Sequence, residues 1–316
     1  MQGVILAAGK GSRLHPITLE RSKAMLPVLG RPIVERVMAL LHHQGVDDFI
    51  LVVSPEDRDV TRHFHRDAQI EADVRFVYQP ERRGMAHALR CAAPLITGDF
   101  VLSACDNLIP EADVERLMAA WQAPRPNGVL TLLPVEPERL GSVGIVALDG
   151  PWVTRIIEKP PPEAAPSRIS SLPLYIFSPA ILAYLDQIPL SPRGEYELQD
   201  AIQRLIDEVG RVRGVLIDRR LTLTNAADLL ALNREYLTRG NQRPQLAPHT
   251  VGPGTRLITP LRIEAETVIG ADCTIGPNVY IERACRIGDG VTLRDAVVLR
   301  GARIPAGETV ADRVVA

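Results

Sequence analysis

The spacing of apolar residues divides the chain into two regimes. Between Gln2 and Thr238, short β-branched runs alternate with stretches whose apolar residues recur every three or four positions, the rhythm of strands alternating with helices. Strands are expected at Gln2–Ala8, Phe49–Ser54, Val74–Gln79 and Asp99–Cys105. Helices are expected at Pro32–His43, where proline suits a first turn, and at Glu56–Arg66, Met85–Ala93 and Glu111–Trp121. Strands fed by crossover helices pair in parallel. The rhythm then loosens: strand-like runs at Gly128–Val135, Val143–Leu148 and Val153–Ile157 precede the loop PPPEAAP and the run SLPLYIF. Helices around Ala180–Leu185 and Tyr196–Val209, a strand near Arg213–Ile217, and a helix from about Ala226 to Thr238, capped by Thr224 or Asn225, complete this region.

After Arg243-Pro244 the period changes to six. Val251, Leu257, Ile263, Ile269, Ile275, Ile281, Ile287, Leu293 and Leu299 are each six residues apart, and glycine often follows, as in IGADCT and IGDGVT. That period fits neither a helix nor a simple strand. It is the hexapeptide pattern of a parallel β-helix, in which three hexads make one coil and the aliphatic residue points to the axis; nine hexads predict three coils. The chain is therefore expected to hold two domains, 1–240 and 241–316. The length of the second, with its one histidine, His249, ahead of the first coil, argues for an oligomerisation or packing module over an acyltransferase.

Composition narrows the class. At 316 residues and 46% hydrophobic the chain can bury two cores. No apolar run reaches the length of a membrane span, and Met1 leads straight into a strand without a basic segment or cleavage site, so a soluble cytoplasmic protein is expected. A net charge of −2 argues against nucleic-acid binding. Cys91, Cys105, Cys273 and Cys285 have no CxxC spacing and read as reduced, buried thiols. Of 36 basic residues only Lys10, Lys23 and Lys159 are lysine. A compact ammonium enters crowded phosphate sites that a planar guanidinium does not, which draws attention to all three.

The candidate chemistry begins at LAAGKGSRL (Leu6–Leu14). A strand running into Gly-x-Gly offers consecutive backbone N–H groups to an anion. Neither usual phosphate motif is complete: Leu14 stands where GxGxxG needs its last glycine, and GxxxxGK[ST] is absent. The fuller string LAAGKGSRLHPIT, followed from Lys23 by KAMLPV, resembles the signature LAAGxGxRL…T…PKxMLP of sugar-1-phosphate nucleotidylyltransferases. Further along, QPERRGMAHAL resembles QxxxGTAxA, SACDN resembles a strand-end GDN, IIEKP resembles EKP, and GEYELQDAI resembles EYxLTDA. Several members of that family carry a hexapeptide tail.

The resemblance implies an α/β fold, a doubly wound mixed-sheet (Rossmann-like) nucleotidyltransferase domain followed by a short left-handed parallel β-helix. It implies in-line attack of a sugar-1-phosphate oxygen on the α-phosphorus of an NTP, with loss of pyrophosphate, a reaction of positioning and charge neutralisation. By the same resemblance Arg13 and Lys23 are catalytic. Leu6, Ala8, Gly9, Gly11, Ser12, Gln79 and Gly84 bind the nucleotide, and Gly144, Glu158 and Lys159 bind the sugar phosphate. Asp106 ligates Mg²⁺. Gln79 favours UTP or dTTP, and glucose-1-phosphate or a relative is the expected acceptor. Departures are Ser22 for proline, Met85 for threonine, Cys105 for glycine, and Ser171 and Pro173 in place of the Asn and Gly of NxGxY. Thr222 aligns where many members place a second metal-binding Asp, and Asp218 in IDRRLTL is the candidate instead. The expected partners are NTP and sugar-1-phosphate, with neither nucleic acid nor membrane, in a homo-oligomer formed through the β-helix. Two rivals are a non-catalytic regulatory homologue and a GDP- or ADP-sugar pyrophosphorylase.

Overall fold

A computed structural model describes residues 1–122, 124–239 and 245–316. Two compact units emerge: one comprises residues 1–10, 21–25 and 34–220, the other 11–20, 26–33 and 221–316. The expected division at 240/241, like the Arg243-Pro244 break, lies outside the described residues.

The first unit is organised on one nine-stranded mixed sheet. Its strands are β1 (Gln2–Leu6), β2 (Asp48–Val53), β3 (Asp73–Tyr78), β4 (Phe100–Ala104), β5 (Gly128–Pro134), β6 (Gly144–Asp149), β7 (Trp152–Glu158), β8 (Ile169–Phe177) and β9 (Val212–Leu216). Their order across the sheet is β3-β2-β1-β4-β8-β5-β9-β7-β6, with a further pairing of β8 to β6. β1 is parallel to β2 and β4, β2 to β3, and β9 to β5, whereas β8 runs against β4 and β5. The carboxyl ends of β1, β2, β3, β4, β5 and β9 thus share one edge, and β8 begins there.

The helices are α1 (Ile33–His42), α2 (Arg58–Arg66), α3 (Met85–Ala92), α4 (Glu111–Gln122) and α5 (Leu198–Glu208). The expected helix at Ala180–Leu185 is a 3₁₀ segment, Pro179–Tyr184, and that at Tyr196 begins two residues later, because Glu197 is still extended. The core under the sheet packs Tyr175, Phe100 and Phe177 with Leu89, Leu130, Leu132, Ile202 and Leu205; each fully buried side chain contributes on the order of 2 kcal/mol. α1 and α2 are joined through a carboxylate that is fully buried: Glu35 bonds His63 Nε2 at 2.6 Å and accepts the Gln69 N–H at 2.8 Å. His63 therefore serves the packing of the two helices.

In the second unit α6 (Ala226–Arg239) buries Leu229, Leu232, Asn233 and Leu237. The Asn233 carboxamide accepts the Leu29 N–H at 2.7 Å and donates to the Pro27 carbonyl at 3.1 Å, tying the short hairpin Pro27–Pro32 to the helix.

The C-terminal region forms three stacks of parallel ladders visited in turn, consistent with a β-helix-like fold. Thr250–Val251 pairs with Val268–Ile269, Arg256–Leu257 with Thr274–Ile275, and Leu261–Ile263 with Val279–Ile281, each eighteen positions on. Ile263, Ile269, Ile275, Ile281, Ile287 and Leu293 fill the axis, as their period requires. Corners recur with the same period as left-handed backbone at Glu266, Asp272, Asn278 and Ala284, then at Gly290.

The expectation of nine uninterrupted hexads fails at its last member. Ile281 pairs with Val298, not Leu299, and Ile287 with Ile304. One residue is lost between corners Gly290 and Asp295, which moves the axial position to Val298. Ile304, Val310 and Val315 then extend the core by another coil. Aliphatic identity alone does not reveal the slip, because the run of Val297, Val298 and Leu299 hides it.

Ile275 is fully buried on this axis. Ile275→Ala is expected to lower the unfolding free energy of the C-terminal region by about 2–5 kcal/mol, read by urea denaturation; a loss below about 1 kcal/mol would contradict axial packing.

Candidate active site

The shared carboxyl edge carries several of the residues singled out in the sequence. Along it Gln79 follows β3, Ser54 follows β2, Ala8 and Gly9 follow β1, Asp106 and Asn107 follow β4, and Ser171 lies near the start of β8. From Gln79 to Ser171 there are four strand spacings, about 19 Å.

β1 delivers its loop by ladder geometry: Leu6 stands level with Val52 and Ala104, and its carbonyl accepts the Cys105 N–H at 3.1 Å. At Gly9 a Cβ would meet no protein atom within 4 Å, so packing does not demand glycine and the space before it is open. Arg82, missed in the sequence, ties this edge together. Its guanidinium donates to the Ala8 carbonyl at 2.9 Å and to Ser54 Oγ at 3.0 Å, and pairs with Glu56 at 3.1 Å. In the second unit, Gly11 turns the chain in left-handed backbone, its carbonyl accepting from Thr18 Oγ1 and the Leu14 N–H, and Ser12 and Arg13 are exposed on the short helical segment that follows.

Lys23 Nζ lies 2.5 Å from Asp106 Oδ2, and both side chains are more than four-fifths shielded from solvent. Cys105, in place of the expected glycine, is an inert thiol, pushed up to about 12 by burial and then by Asp106. Asn107 is buried, and neither end of its carboxamide has a hydrogen-bond partner, a cost of about 1–3 kcal/mol per group that a ligand could recover. Asp218, exposed just past β9, is three strand spacings from the Asp106 position, about 14 Å. Among the described residues no group of three His, Cys, Asp or Glu is placed to hold a metal. Asp106, paired with Lys23, is the carboxylate at the end of β4; a hard cation that takes one or two protein oxygens fills its shell from phosphate and water.

At the other end Gln79 is buried, and its Nε2 is occupied by the Gly84 carbonyl and His87 Nδ1, both at 3.1 Å. Burial, and next Arg90, lowers the His87 pKa. The Gly84 carbonyl and the His87 ring together hold the amide nitrogen of Gln79. His87 is thus a positioning residue for Gln79. Gly84 adopts φ 90° under the backbone of Tyr196, which a Cβ would approach to 2.7 Å, so glycine is required there.

The hairpin β6–β7 builds a polar pocket. Gly144 pairs with Glu158, and a Cβ on Gly144 would sit 3.0 Å from Glu158 Oε2, 3.1 Å from Ser171 Oγ and 3.2 Å from Gln199 Nε2. Ser171 Oγ accepts from the Tyr175 hydroxyl at 3.1 Å. Glu158 Oε1 meets two cations, Lys159 Nζ at 3.3 Å and Arg193 at 3.5 Å, and Arg193 is braced by Glu197 at 2.7 Å. Burial raises the Glu158 pKa, with Lys159 the chief opposing influence. Arg193 and Gln199 were not singled out in the sequence. Both lie in or beside GEYELQDAI, and Gln199 stands where the resembled string has threonine, which was the available signal.

With this geometry in view, the similarities are coherent. Residues 2–219 match the nucleotidyl transferase family and residues 257–316 the GMPPB C-terminal domain. The UTP–glucose-1-phosphate uridylyltransferase AglF of Haloferax volcanii is 32% identical over 69% of this chain and 88% of its own. A glucose-1-phosphate thymidylyltransferase of Streptomyces griseus is 29% identical over 96% and 88%. A crystal structure of UDP-glucose pyrophosphorylase complexed with UDP-glucose superposes with a TM-score of 0.69 at 19% identity, over 76% of this chain and 99% of that one. The chain belongs to the nucleotidyl transferase family, with the Rossmann-like α/β domain of that class. Its sequence relatives are named sugar-1-phosphate nucleotidyltransferases, and no helix among the described residues is long and apolar enough to cross a membrane.

Because the Glu158 pKa is raised, the folded state gains from this group below the unfolded value near 4.5 and loses that gain as pH rises through the folded value. In Lys159→Met the chief opposing charge is gone. The Glu158 titration, followed by carboxyl ¹³C NMR, is expected to move to still higher pH; an unmoved midpoint would show that the two side chains do not couple.

Proposed function

We propose that the chain transfers a nucleotidyl group from UTP or dTTP to glucose-1-phosphate or a close relative, releasing pyrophosphate. The observation that carries this reading is the linear order at the sheet edge: the buried Gln79 carboxamide after β3, an open glycine after β1, the Lys23–Asp106 pair after β4, and a cation-flanked polar pocket at Glu158. Base, triphosphate and sugar phosphate need that order and about that span.

In the reaction a phosphate oxygen of the sugar attacks the α-phosphorus, a P–O bond forms there, and the bond to the β-phosphate breaks as pyrophosphate leaves in line. Lys23 and Arg13 neutralise the charge that spreads over the transferred phosphoryl group. Gly9, Gly11 and Ser12 cradle the triphosphate through backbone N–H groups, with Leu6 and Ala8 forming the wall from which the loop springs. Lys159, joined by Arg193, holds the sugar phosphate, while Glu158 accepts a sugar hydroxyl beside Gly144. Asp106 would hold Mg²⁺ against the phosphates, where the ion supplies charge neutralisation; Asp218 is a second ligand only if the edge curls to bring it in. A Gln79 oxygen that can only accept selects a ring N–H, as on uracil or thymine, and guanine also offers one. Adenine and cytosine present acceptors there and are disfavoured. Gly84 keeps the loop close enough for this contact.

The hexad corners and axial aliphatics support a left-handed β-helix for the C-terminal region, and its exposed ladder edges suit self-association into a homo-oligomer. Four free cysteines suit a cytoplasmic setting.

Pyrophosphate release, measured for each NTP against a panel of sugar-1-phosphates, tests the reading: release is expected with UTP or dTTP and glucose-1-phosphate, and tight binding without release for every pair would replace it with a regulatory role. Lys23→Arg keeps the charge but not the fit, and is expected to lower kcat at least 100-fold. Asp106→Asn should abolish Mg²⁺-dependent turnover. Asp218→Asn is expected to leave the Mg²⁺ requirement unchanged, and an equal loss there would place two carboxylates on the ion.

A further inference from the structure

The pocket around Gly144 holds two acceptors that the protein itself does not satisfy. Glu158 Oε2 and Gln199 Oε1 are buried, and neither has a hydrogen-bond partner. Gln199 is 3% exposed and lies on the first turn of α5, with its carboxamide oxygen shielded from water. Its nitrogen, the carboxylate of Glu158 and the hydroxyl of Ser171 all come within 3.2 Å of the point a Cβ on Gly144 would occupy. Buried acceptors left unpaired are costly, and a ligand that brings donors recovers that cost. The three atoms around Gly144 would crowd a Cβ there, so the pocket exists in this form only while that residue is glycine.

Resting on the reading of this pocket as the sugar site, we propose that Gln199 is a specificity-determining residue. Its side-chain oxygen accepts the hydroxyl vicinal to the one held by Glu158, and its bulk excludes an N-acetyl group at that carbon. The preferred acceptor is therefore a hexose-1-phosphate carrying a free vicinal diol. Ser171 takes part by being small: its Oγ is already engaged by Tyr175, which leaves the amide of this pocket to come from α5.

The test is a binding and turnover comparison. Glucose-1-phosphate, its 2- and 3-deoxy analogues and N-acetylglucosamine-1-phosphate are titrated calorimetrically into the wild type, Gln199→Met and Gln199→Ser, and kcat/KM is measured for each with UTP. Methionine preserves volume without the acceptor. Gln199→Met is expected to weaken glucose-1-phosphate about 10-fold yet to leave one deoxy analogue, the one lacking the hydroxyl that Gln199 holds, within about 2-fold. Gln199→Ser is expected to shift the ratio of N-acetylglucosamine-1-phosphate to glucose-1-phosphate at least 10-fold toward the acetylated sugar. Equal weakening of all three unacetylated sugars, or an unchanged ratio in Gln199→Ser, overturns the assignment even if turnover is normal. Binding differences as expected with no pyrophosphate release overturn the catalytic reading and uphold this one. Absence of binding by any sugar phosphate overturns both.

Discussion

Everything at the candidate site depends on β1 lying between two parallel neighbours. Because Leu6 is level with both Val52 and Ala104, the chain leaves three adjacent strands at one height, and the loops that follow must share the same space. A one-residue slip of β1 would turn its side chains over and move Gly9 away from Asp106. The ladder itself resists that slip, since Val4 and Ile5 are buried without residual exposure on opposite faces of the strand. The position of a charged pair such as Lys23 and Asp106 is thus set by apolar packing several residues upstream.

The site divides into a part held by charge and a part held by shape. Around Asp106 an ion pair keeps one cation and one anion close at hand, with a neutral thiol and an unpartnered carboxamide beside them. Around Gly144 the geometry is steric first, with three polar atoms converging on a position that only glycine leaves open. Cys105, the thiol beside Asp106, is buried and held protonated, so it brings no nucleophile to this edge. What the fold provides instead is a row of fixed donors, acceptors and charges.

Much of this was legible in the sequence, for identifiable reasons. The strands that carry Gly9 and Asp106 are short, apolar runs buried on both faces, a pattern that survives without knowledge of their partners. The strand before Gln79 is only half-buried and mixes valine with polar residues. The period of six placed Ile263 through Leu293 on an axis without any motif. What escaped were features that depend on contacts distant in sequence. Arg82 reads as a surface residue in a charged run until its bond to Ala8 is seen, 74 positions away. His87 reads as an unremarkable helical histidine until it is found against Gln79. Gln199 was visible only as a departure from threonine, and its meaning required the pocket. Val298 was displaced by a deletion that its apolar neighbours conceal.

That lost residue has a mechanical consequence. Elsewhere in the stacks, neighbouring rungs share only two or three residue pairs. Where the corner is shortened, Thr292–Val298 runs on as one strand across two stacks and matches Thr309–Val315 at six positions. Fraying of such a stack should therefore start among the two-residue rungs near Thr250 and stall on reaching this seam, which acts as a clasp for the coils above it.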